Sequence, residues 1–318
     1  MKELQKGISI SIVTFNTWDR TSACIQSVLD EYDSATVEIL VHDNGSQENT
    51  REDWPDSVRV HRSENNVGFG AGHNANLDRA RFDTFLILNP DVTVGRTTLE
   101  ALATAVQLPG VAAAAPILVF PNGSEQLSFR RFPTLWTEYA RIFGADRNPD
   151  SRWSTLVRVQ QGRGVVQVEQ PAAAVLAVRT EVIRSVEGFD TDFAMYFEDV
   201  DLCARLIKVG EILALSNFTA IHDGEGTAKK YRTATTFWIE NSRRRYHRKF
   251  ATGLSLQLIS IAISLSGFTH FAATACKAAL CSGPKREMLS AKSRGYRSAL
   301  VATVAGSDEY WREQFLKN

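Results

Sequence analysis

The stretch FLILNPDVTV, residues 85–94, decides the fold class. An apolar run typical of a buried strand stops at Asn89-Pro90, one carboxylate follows at Asp91, and the sequence then becomes apolar again. Asn-Pro-Asp is common in turns, so Asp91 has a purely structural explanation. It also has a functional one, because ligands of α/β sheets bind outside the carboxyl ends of the strands. The surrounding segments have to decide between the two.

Strand and helix patterns alternate around this stretch. Apolar or β-branched runs predict strands at residues 8–15, 37–42, 58–61 and 85–88. Helical patterns occupy residues 16–29 and 97–107, and a glycine-rich loop, NNVGFGAGHN, leads into another helix. This alternation predicts an α/β fold with a mostly parallel sheet and helices on both faces.

Small or polar residues follow each predicted strand. The clusters are Phe15-Asn16, Asp43-Asn44, residues 65–72 and residues 89–91. Because the carboxyl ends of parallel strands meet at one edge of a sheet, we expect these residues to converge there. The glycines at 68, 70 and 72 lack the GxGxxG spacing of dinucleotide-binding loops, but they permit a close approach of the backbone to a ligand.

The composition is that of an ordinary globular protein. The chain has 318 residues, 44% hydrophobic and 23% charged, with 36 basic and 36 acidic side chains. The balanced charge gives no reason to expect nucleic acid as a partner. The four cysteines form no CxxC pair, and the N-terminus lacks the pattern of a secretory signal. We therefore expect a cytoplasmic protein.

A second acidic group lies in YFEDVDLCARL, which contains Glu198, Asp199 and Asp201. Acids are favoured at the start of a helix, and this explains one or two of them without any function. The neighbouring side chains are bulky and apolar, however. Such surroundings raise the pKa of a carboxyl group and make it usable as a general base.

His222 ends an apolar segment and precedes the glycine-containing loop DGEGT. A single histidine is often a hydrogen-bonded core or surface residue. Together with Asp91, a neutral imidazole would also make a mixed nitrogen and oxygen site for Mg²⁺ or Mn²⁺, of which Mn²⁺ tolerates nitrogen better. Lys229 and Lys230 follow closely and suit the oxygens of a diphosphate.

The segments VTFN, VHDNGS, ENNVGFGAGHN, LNPDV, GFDTDFAMYFEDVDLCARL and IH occur in the order found in family 2 glycosyltransferases of the GT-A fold. The resemblance covers roughly residues 7–225 and is greatest to the rhamnosyltransferase branch. It implies an inverting enzyme that moves a sugar, best L-rhamnose from dTDP-L-rhamnose, to a hydroxyl of a lipid-linked or cell-surface glycan. A role in cell-wall or O-antigen biogenesis would follow.

The resemblance also implies roles for particular residues. Asp199 would be the catalytic base, supported by Glu198. Asp91 and His222 would bind the metal, with Asn89-Pro90-Asp91 in place of the family's DxD. The donor-binding residues would be Phe15 and Asn16 beside the nucleobase, Asp43 on its imide, Asn66, Gly68 and Asn74 along the ribose-diphosphate or sugar, and Asn89 with Asp91 at the diphosphate.

Two departures from the family pattern stand out. The metal motif has one carboxylate instead of two, so the metal would be bound weakly or together with the nucleotide. Ala172-Ala173-Ala174 stands where the family often has Gly-Ala, at the expected acceptor pocket.

The C-terminal part of the chain differs in composition. Residues 243–250, RRRYHRKF, contain five Lys or Arg, and residues 251–276 contain no charged Asp, Glu, Lys or Arg. Apolar residues recur there at helical spacing, at Leu254, Leu258, Ile261, Leu265, Phe268 and Ala272. The pattern suits a helix lying in a membrane interface, a helix packed on the protein, or a short span. Interfacial contact through residues 243–276 would place the protein at the inner face of the plasma membrane.

These features predict a catalytic domain over residues 1–236 and a basic, amphipathic helical extension over residues 237–318. Within the domain, the donor half would cover about residues 1–120 and the acceptor half about 121–236. Four alternatives are a transferase with a UDP-sugar donor, a sugar-phosphate nucleotidyltransferase, a non-catalytic donor-binding scaffold and a processive polysaccharide synthase. The synthase would carry QxxRW and several apolar spans, which this sequence does not show. A nucleotidyltransferase would carry Arg and Lys in a glycine-rich loop after the first strand, and TFNTWDR does not.

Overall fold

The computed structural model describes residues 4–32, 35–48, 53–224 and 231–305. The chain forms two compact units. The sheet unit comprises Met1–Arg131, Val157–Thr191 and Asp199–Gly224, and the helical unit comprises Phe132–Leu156, Asp192–Glu198 and Glu225–Asn318. The division differs from the expected boundary at residue 237, because two segments from the middle of the chain fold with the C-terminal helices.

Strands and helices alternate through the first half of the chain, and helices make up its end. The strands are β1 (Gln5–Thr14), β2 (Val37–Asp43), β3 (Val58–Arg62), β4 (Phe82–Leu88), β5 (Val92–Thr93), β6 (Val111–Val119), β7 (Phe129–Arg130), β8 (Leu156–Val157), β9 (Val165–Val168), β10 (Gln170–Pro171), β11 (Val175–Arg179) and β12 (Glu211–His222). The helices are α1 (Trp18–Leu29), α2 (Phe69–Arg79), α3 (Arg96–Val106), α4 (Leu135–Ile142), α5 (Thr180–Ser185), α6 (Glu198–Leu206), α7 (Arg232–Phe250), α8 (Gly253–Ala279) and α9 (Gly283–Ala305).

The main sheet of the sheet unit is mixed, with strand order β3-β2-β1-β4-β11-β6-β12-β5. Strand β1 pairs in parallel with β2 and β4, and β6 pairs in parallel with β12. Strand β11 lies antiparallel between β4 and β6, so β4 and β6 run in the same direction. The carboxyl ends of β1, β2, β4, β6 and β12 therefore lie at one edge, as the sequence predicted.

Helices cover both faces of this sheet. On one face Ile8, Ile10 and Ile12 of β1 pack in a single cluster with residues of α1 and α3. On the other face, Ser11 of β1 hydrogen-bonds His73 of α2 at 2.7 Å. The predicted two-sided arrangement is thus confirmed.

The glycines that begin α2 serve packing. A Cβ on Gly72 would lie 2.8 Å from Cγ2 of Val13, and one on Gly70 would lie 2.8 Å from Cβ of Phe189. Such separations are too short for carbon atoms in contact. The two glycines therefore let the helix lie close to its neighbours, a role that the glycine spacing alone did not reveal.

The helical unit contains a buried network of charges, here called the helix network: Glu138, Arg141, Glu240, Arg243 and His247. Arg141 pairs with Glu240, and Glu138 pairs with His247 at 3.1 Å and with Arg243 at 3.6 Å. Burial opposes ionisation of Glu240, but Arg141 and Arg243 outweigh it and lower the pKa of Glu240 to about 2. Much of the cationic segment 243–250 is thus turned inward.

Helix α8 has one buried and one exposed face. Ile259, Ala262 and Ile263 are buried, while the exposed apolar side chains include Leu254, at 70%, and Phe268, at 59%. Of the described residues, α8 is the one helix long and apolar enough to cross a membrane, with a mean hydropathy of 1.5 over its most apolar window, 28% of which is buried. The predicted helical pattern is confirmed, and its apolar stripe faces outward.

Candidate active site

The turn after β4 explains the stretch from which the sequence analysis started. After Pro90 and Asp91 the chain reverses into β5, whose residues pair antiparallel with the end of β12: Val92 with His222 and Thr93 with Ile221. The amide of Asp223 also donates to the backbone carbonyl of Asp91, at 3.1 Å. The turn therefore carries Asp91 to the end of β12.

This pairing brings Asp91 and His222 together. Oδ1 of Asp91 lies 3.3 Å from Nε2 of His222, and both side chains are largely shielded, at 13% and 17% exposure. Two residues separated by more than a hundred positions thus meet at the sheet edge. Asp91 and His222, the two metal ligands predicted from the sequence, are therefore in contact.

Gln126 fixes the protonation of the His222 ring. Nε2 of the Gln126 side chain donates to the backbone carbonyl of His222. This hydrogen bond directs Oε1 of Gln126 toward Nδ1 of the His222 ring, 2.8 Å away. An amide oxygen only accepts, so Nδ1 carries the proton. When Nε2 is protonated as well, it donates to the Asp91 carboxylate, and loss of that proton leaves a lone pair that a metal can accept.

Arg20 and Asp223 complete what we call the edge cluster: Arg20, Asp91, His222 and Asp223. Arg20 lies on α1, with Nη2 at 3.2 Å from Oδ2 of Asp223 and Nη1 at 3.9 Å from Oδ2 of Asp91. Burial acts to raise the pKa of Asp91, but the hydrogen bond and charge of His222, with Arg20, outweigh it and lower that pKa. Neither Arg20 nor Asp223 was predicted from the sequence as part of the site.

The edge cluster suits a divalent cation as a partial ligand set. The described residues contain no group of three or more His, Cys, Asp or Glu side chains placed to hold a metal ion. A carboxylate oxygen and an imidazole nitrogen are both ligands that Mn²⁺ accepts. Magnesium-type sites commonly use one or two protein ligands and take the rest from phosphates and water. Asp91 and His222 therefore fit a metal that arrives with a nucleotide.

Asp43 is enclosed by donors of the chain itself. It is fully buried, its Oδ1 accepts from the amide and hydroxyl of Ser46 at 2.9 and 2.6 Å, and its Oδ2 accepts from Nε1 of Trp18 at 3.1 Å. Asn16 supports the same loop, because its Oδ1 accepts from the amide of Gln47 at 2.8 Å. In this structure both residues order the loop after β2, and their contacts with a nucleobase stay a prediction.

The other predicted donor residues have different surroundings. Oδ1 of Asn66 accepts from the amide of Gly68 at 3.0 Å, where α2 begins. Asn74 hydrogen-bonds both backbone groups of Phe189. Its Nδ2 donates to the carbonyl and its Oδ1 accepts from the amide, both at 2.8 Å. The backbone amide of Asn89 donates to the backbone carbonyl of Ala174 at 2.9 Å. Phe15, just after β1, is partly buried.

Asp199 is held by neutral donors. Its Oδ2 accepts from Nε2 of Gln170 at 3.1 Å, and its Oδ1 accepts from the amide of Val200 at 2.9 Å. Burial raises the pKa of Asp199, and the amides of Val200 and Ala173 and the charge of Arg130 offset this only in part. The carboxyl therefore holds a proton more readily than an ordinary aspartate does.

The backbone before α6 is strained. Tyr196 and Phe197 have φ angles of 64° and 66°, a left-handed conformation that bulky side chains adopt rarely. Such strain is commonly found at functional sites. It occurs immediately before Glu198, which is buried, and Asp199. Asp201 instead forms an ion pair with Arg205 at 2.7 Å, inside the sheet unit.

Lys229 and Lys230, expected at the diphosphate, lie outside the described residues. Arg20 is therefore the cation that the described part of the chain places closest to Asp91 in an ion pair. Arg20 lies on α1, about seventy positions before Asp91, so no local sequence pattern relates the two residues.

Comparison with known proteins agrees with the family that the sequence resembles. Residues 9–165 match the model for glycosyl transferase family 2. The N-acetylglucosaminyl-diphospho-decaprenol L-rhamnosyltransferase of Mycobacterium tuberculosis is 29% identical over 194 residues, which cover 55% of this chain and 62% of that protein. Rhamnosyltransferase WbbL of Escherichia coli is 27% identical over 191 residues, 56% of this chain and 70% of WbbL.

Two solved structures share the fold. GalNAc-T7 with UDP, GalNAc and Mn²⁺ has a TM-score of 0.55 at 14% identity, covering 83% of this chain and 55% of that one. The mannosyltransferase PcManGT from Pyrobaculum calidifontis, in complex with GDP-Man and Mn²⁺, has a TM-score of 0.54 at 13% identity, covering 96% and 91%. Residues 9–165 therefore form a glycosyl transferase family 2 domain, and the chain has the GT-A fold.

Proposed function

We propose that this chain is an inverting glycosyltransferase that moves a sugar from a nucleotide-sugar to a hydroxyl of a glycan acceptor. The observation that carries the proposal is the meeting of Asp91 and His222 at the carboxyl edge of the sheet. Asp199, with its raised pKa, belongs to the same unit. Together they supply a place for a diphosphate and a base for a hydroxyl.

The best candidate for the donor is dTDP-L-rhamnose. Both the Mycobacterium tuberculosis and the Escherichia coli relatives are named rhamnosyltransferases, and this supports rhamnose as the transferred sugar. A UDP-sugar is the alternative donor, because GalNAc-T7 was crystallised with UDP.

The reaction needs a base behind the sugar and a stabilised leaving group in front of it. The Asp199 carboxylate takes the proton of the acceptor hydroxyl, whose oxygen forms a bond to the anomeric carbon as the bond to the diphosphate breaks. Attack opposite to the leaving group inverts the configuration. Gln170 and the Val200 amide hold the carboxylate in one orientation while it acts.

A divalent cation, Mg²⁺ or Mn²⁺, would be held by Asp91 and His222 and would stabilise the charge of the departing diphosphate. The Mn²⁺ bound in both structural neighbours supports this cofactor. The hydrogen bond from His222 to Gln126 keeps the ring oriented for such a ligand.

The acceptor is proposed to be a saccharide linked to a polyprenyl diphosphate, as in the name of the Mycobacterium tuberculosis relative. Such an acceptor is anchored in a membrane. The exposed apolar face of α8, with Leu254, Ile261 and Phe268, suits an interfacial position at the inner face of the plasma membrane. Vesicle flotation tests this: Phe268→Glu should lower binding, whereas Leu108→Glu, at an exposed apolar residue of the sheet unit, should not.

A non-catalytic donor-binding scaffold is the second candidate. The single carboxylate of the metal motif favours it, because the family's DxD carries two. A scaffold would bind the nucleotide-sugar without turnover.

The test is nucleotide release from a panel of dTDP- and UDP-sugars, with Mn²⁺ or Mg²⁺ and a membrane lipid extract as the source of acceptor. We expect release from one donor that depends on the extract. Binding of a donor without release in any extract would favour the scaffold, and absence of binding to every donor would refute both functions.

A further inference from the structure

Arg20 is the member of the edge cluster for which the proposed reaction has so far given no role. It is the third residue of α1, and its side chain is 40% exposed. Its guanidinium contacts Asp223, which is 42% exposed, and lies at the outer limit of ion-pair distance from Asp91. A pair exposed to this extent contributes little to stability.

The charges of the cluster favour an anion once a metal is bound. Asp91 and Asp223 contribute two negative charges and Arg20 one positive charge. A diphosphate approaching two carboxylates is repelled unless a cation shields them. In this chain Asn89 stands where the family motif has a second carboxylate, and Arg20 adds a cation to the same edge. Both features move the cluster toward binding phosphate.

Guanidinium groups bind carboxylates and phosphates with the same planar geometry. Exchange of one for the other therefore requires only a small movement of an exposed side chain. It would also release Asp91 from a competing cation and leave its oxygens available to a metal.

We propose that Arg20 binds the diphosphate of the donor, exchanging Asp91 and Asp223 for phosphate oxygens when the nucleotide binds. The proposal rests on the proposed function, because it requires a nucleotide-sugar at this edge. It differs from a purely structural role, in which Arg20 would only hold α1 against the end of β12.

Calorimetry with dTDP and with UDP, in EDTA and in Mn²⁺, tests the exchange. In EDTA, where Arg20 acts without a metal, Arg20→Gln should weaken binding of the nucleoside diphosphate about ten- to a hundredfold, the effect of one charged hydrogen bond. Arg20→Lys should recover part of the affinity. Arg96→Gln, which breaks an exposed ion pair with Glu100 on α3, is the matched control and should bind as the wild type does.

Two further measurements distinguish diphosphate binding by Arg20 from a purely structural role of this residue. Titration of the nucleotide-free protein with Mn²⁺, followed by electron paramagnetic resonance, should show tighter Mn²⁺ binding in Arg20→Gln, since a competing cation is removed from Asp91. Asp223→Asn should strengthen nucleotide binding more when Arg20 is present than in the Arg20→Gln background, because only Arg20 loses a competing partner.

Each outcome decides the matter. Equal affinity of wild type and Arg20→Gln for dTDP and UDP in EDTA would overturn the role of Arg20 and leave the proposed function intact. If the wild type binds neither nucleotide under any condition, the proposed function fails, and the role of Arg20 fails with it. Thermal unfolding of Arg20→Gln at the wild-type temperature excludes misfolding as the cause of a loss.

Discussion

Two buried carboxyl groups of the molecule have pKa values shifted in opposite directions. Burial raises the pKa of Asp199 in the sheet unit, where the Gln170 side chain and the backbone amide of Val200 donate hydrogen bonds to it. Glu240 in the helical unit is also buried, but Arg141 and Arg243 lower its pKa to about 2. Direct cationic partners therefore separate a carboxylate that can exchange protons from one that stays ionised and structural.

The largest effect is expected at the first of these. Asp199→Asn removes the proton acceptor but keeps the size and much of the hydrogen bonding of the side chain. We expect the transfer rate to fall about 10²–10⁴-fold, the usual contribution of a general base. Steady-state transfer assays measure the fall, with circular dichroism as the control for folding. A variant that retains the wild-type rate would remove Asp199 from the mechanism.

Changing Glu240 should affect stability and leave the chemistry alone. Glu240→Gln leaves Arg141 buried without its paired carboxylate, and such a loss typically lowers the free energy of unfolding by about 3–5 kcal/mol. Denaturant unfolding measures this. The double variant Arg141→Met with Glu240→Met should recover much of the loss. An unfolding curve like that of the wild type would show that the helix network has no structural role.

The two carboxylates should also differ in their dependence on pH. Asp199 acts as the carboxylate, and its pKa is raised, so the transfer rate should fall about tenfold per pH unit once the pH drops below that raised pKa. Glu240 has a lowered pKa, so its stabilising effect is complete above the ordinary glutamate pKa and is lost only as the pH falls toward about 2. Rate profiles and unfolding measured across the same pH range compare them. A rate that is flat down to pH 4 would contradict the raised pKa.

The smallest effect concerns Gln170, which donates to the charged form of Asp199. Gln170→Leu removes that donor, so the pKa of Asp199 should rise further and the acidic limb of the rate profile should move up by about one pH unit. The maximal rate at high pH should change little. A limb that stays in place would mean that Gln170 does not tune the base.

The sequence predicted the parts of the fold that depend on local pattern. The strand runs at residues 37–42 and 85–88 correspond to β2 and β4, and the helical pattern at residues 97–107 corresponds to α3. The valine- and alanine-rich run at residues 165–178 resembles one strand but is divided into β9, β10 and β11. Glu169, Gln170 and Pro171 interrupt its apolar pattern, and the pairing of the separate pieces with β12, β7 and β4 shows where the breaks lie.

The site was predictable only where a residue type indicates its chemistry. Asp91, Asp199 and His222 were found in this way, but Arg20 has no local feature that relates it to residue 91. The cationic segment 243–250 suggested a lipid-facing surface, yet Arg243 lies beside Glu138, more than a hundred residues earlier. Such partners are supplied by tertiary packing, which composition and periodicity do not report.

Donor binding is assigned to Asp91 and proton transfer to Asp199. Calorimetry of nucleoside diphosphate binding in Mn²⁺ tests this division of roles most directly. We predict that Asp199→Asn binds dTDP or UDP as tightly as the wild type does, while Asp91→Asn binds at least about tenfold more weakly, because a charged ligand is lost. Equal binding by Asp91→Asn and the wild type would contradict the account.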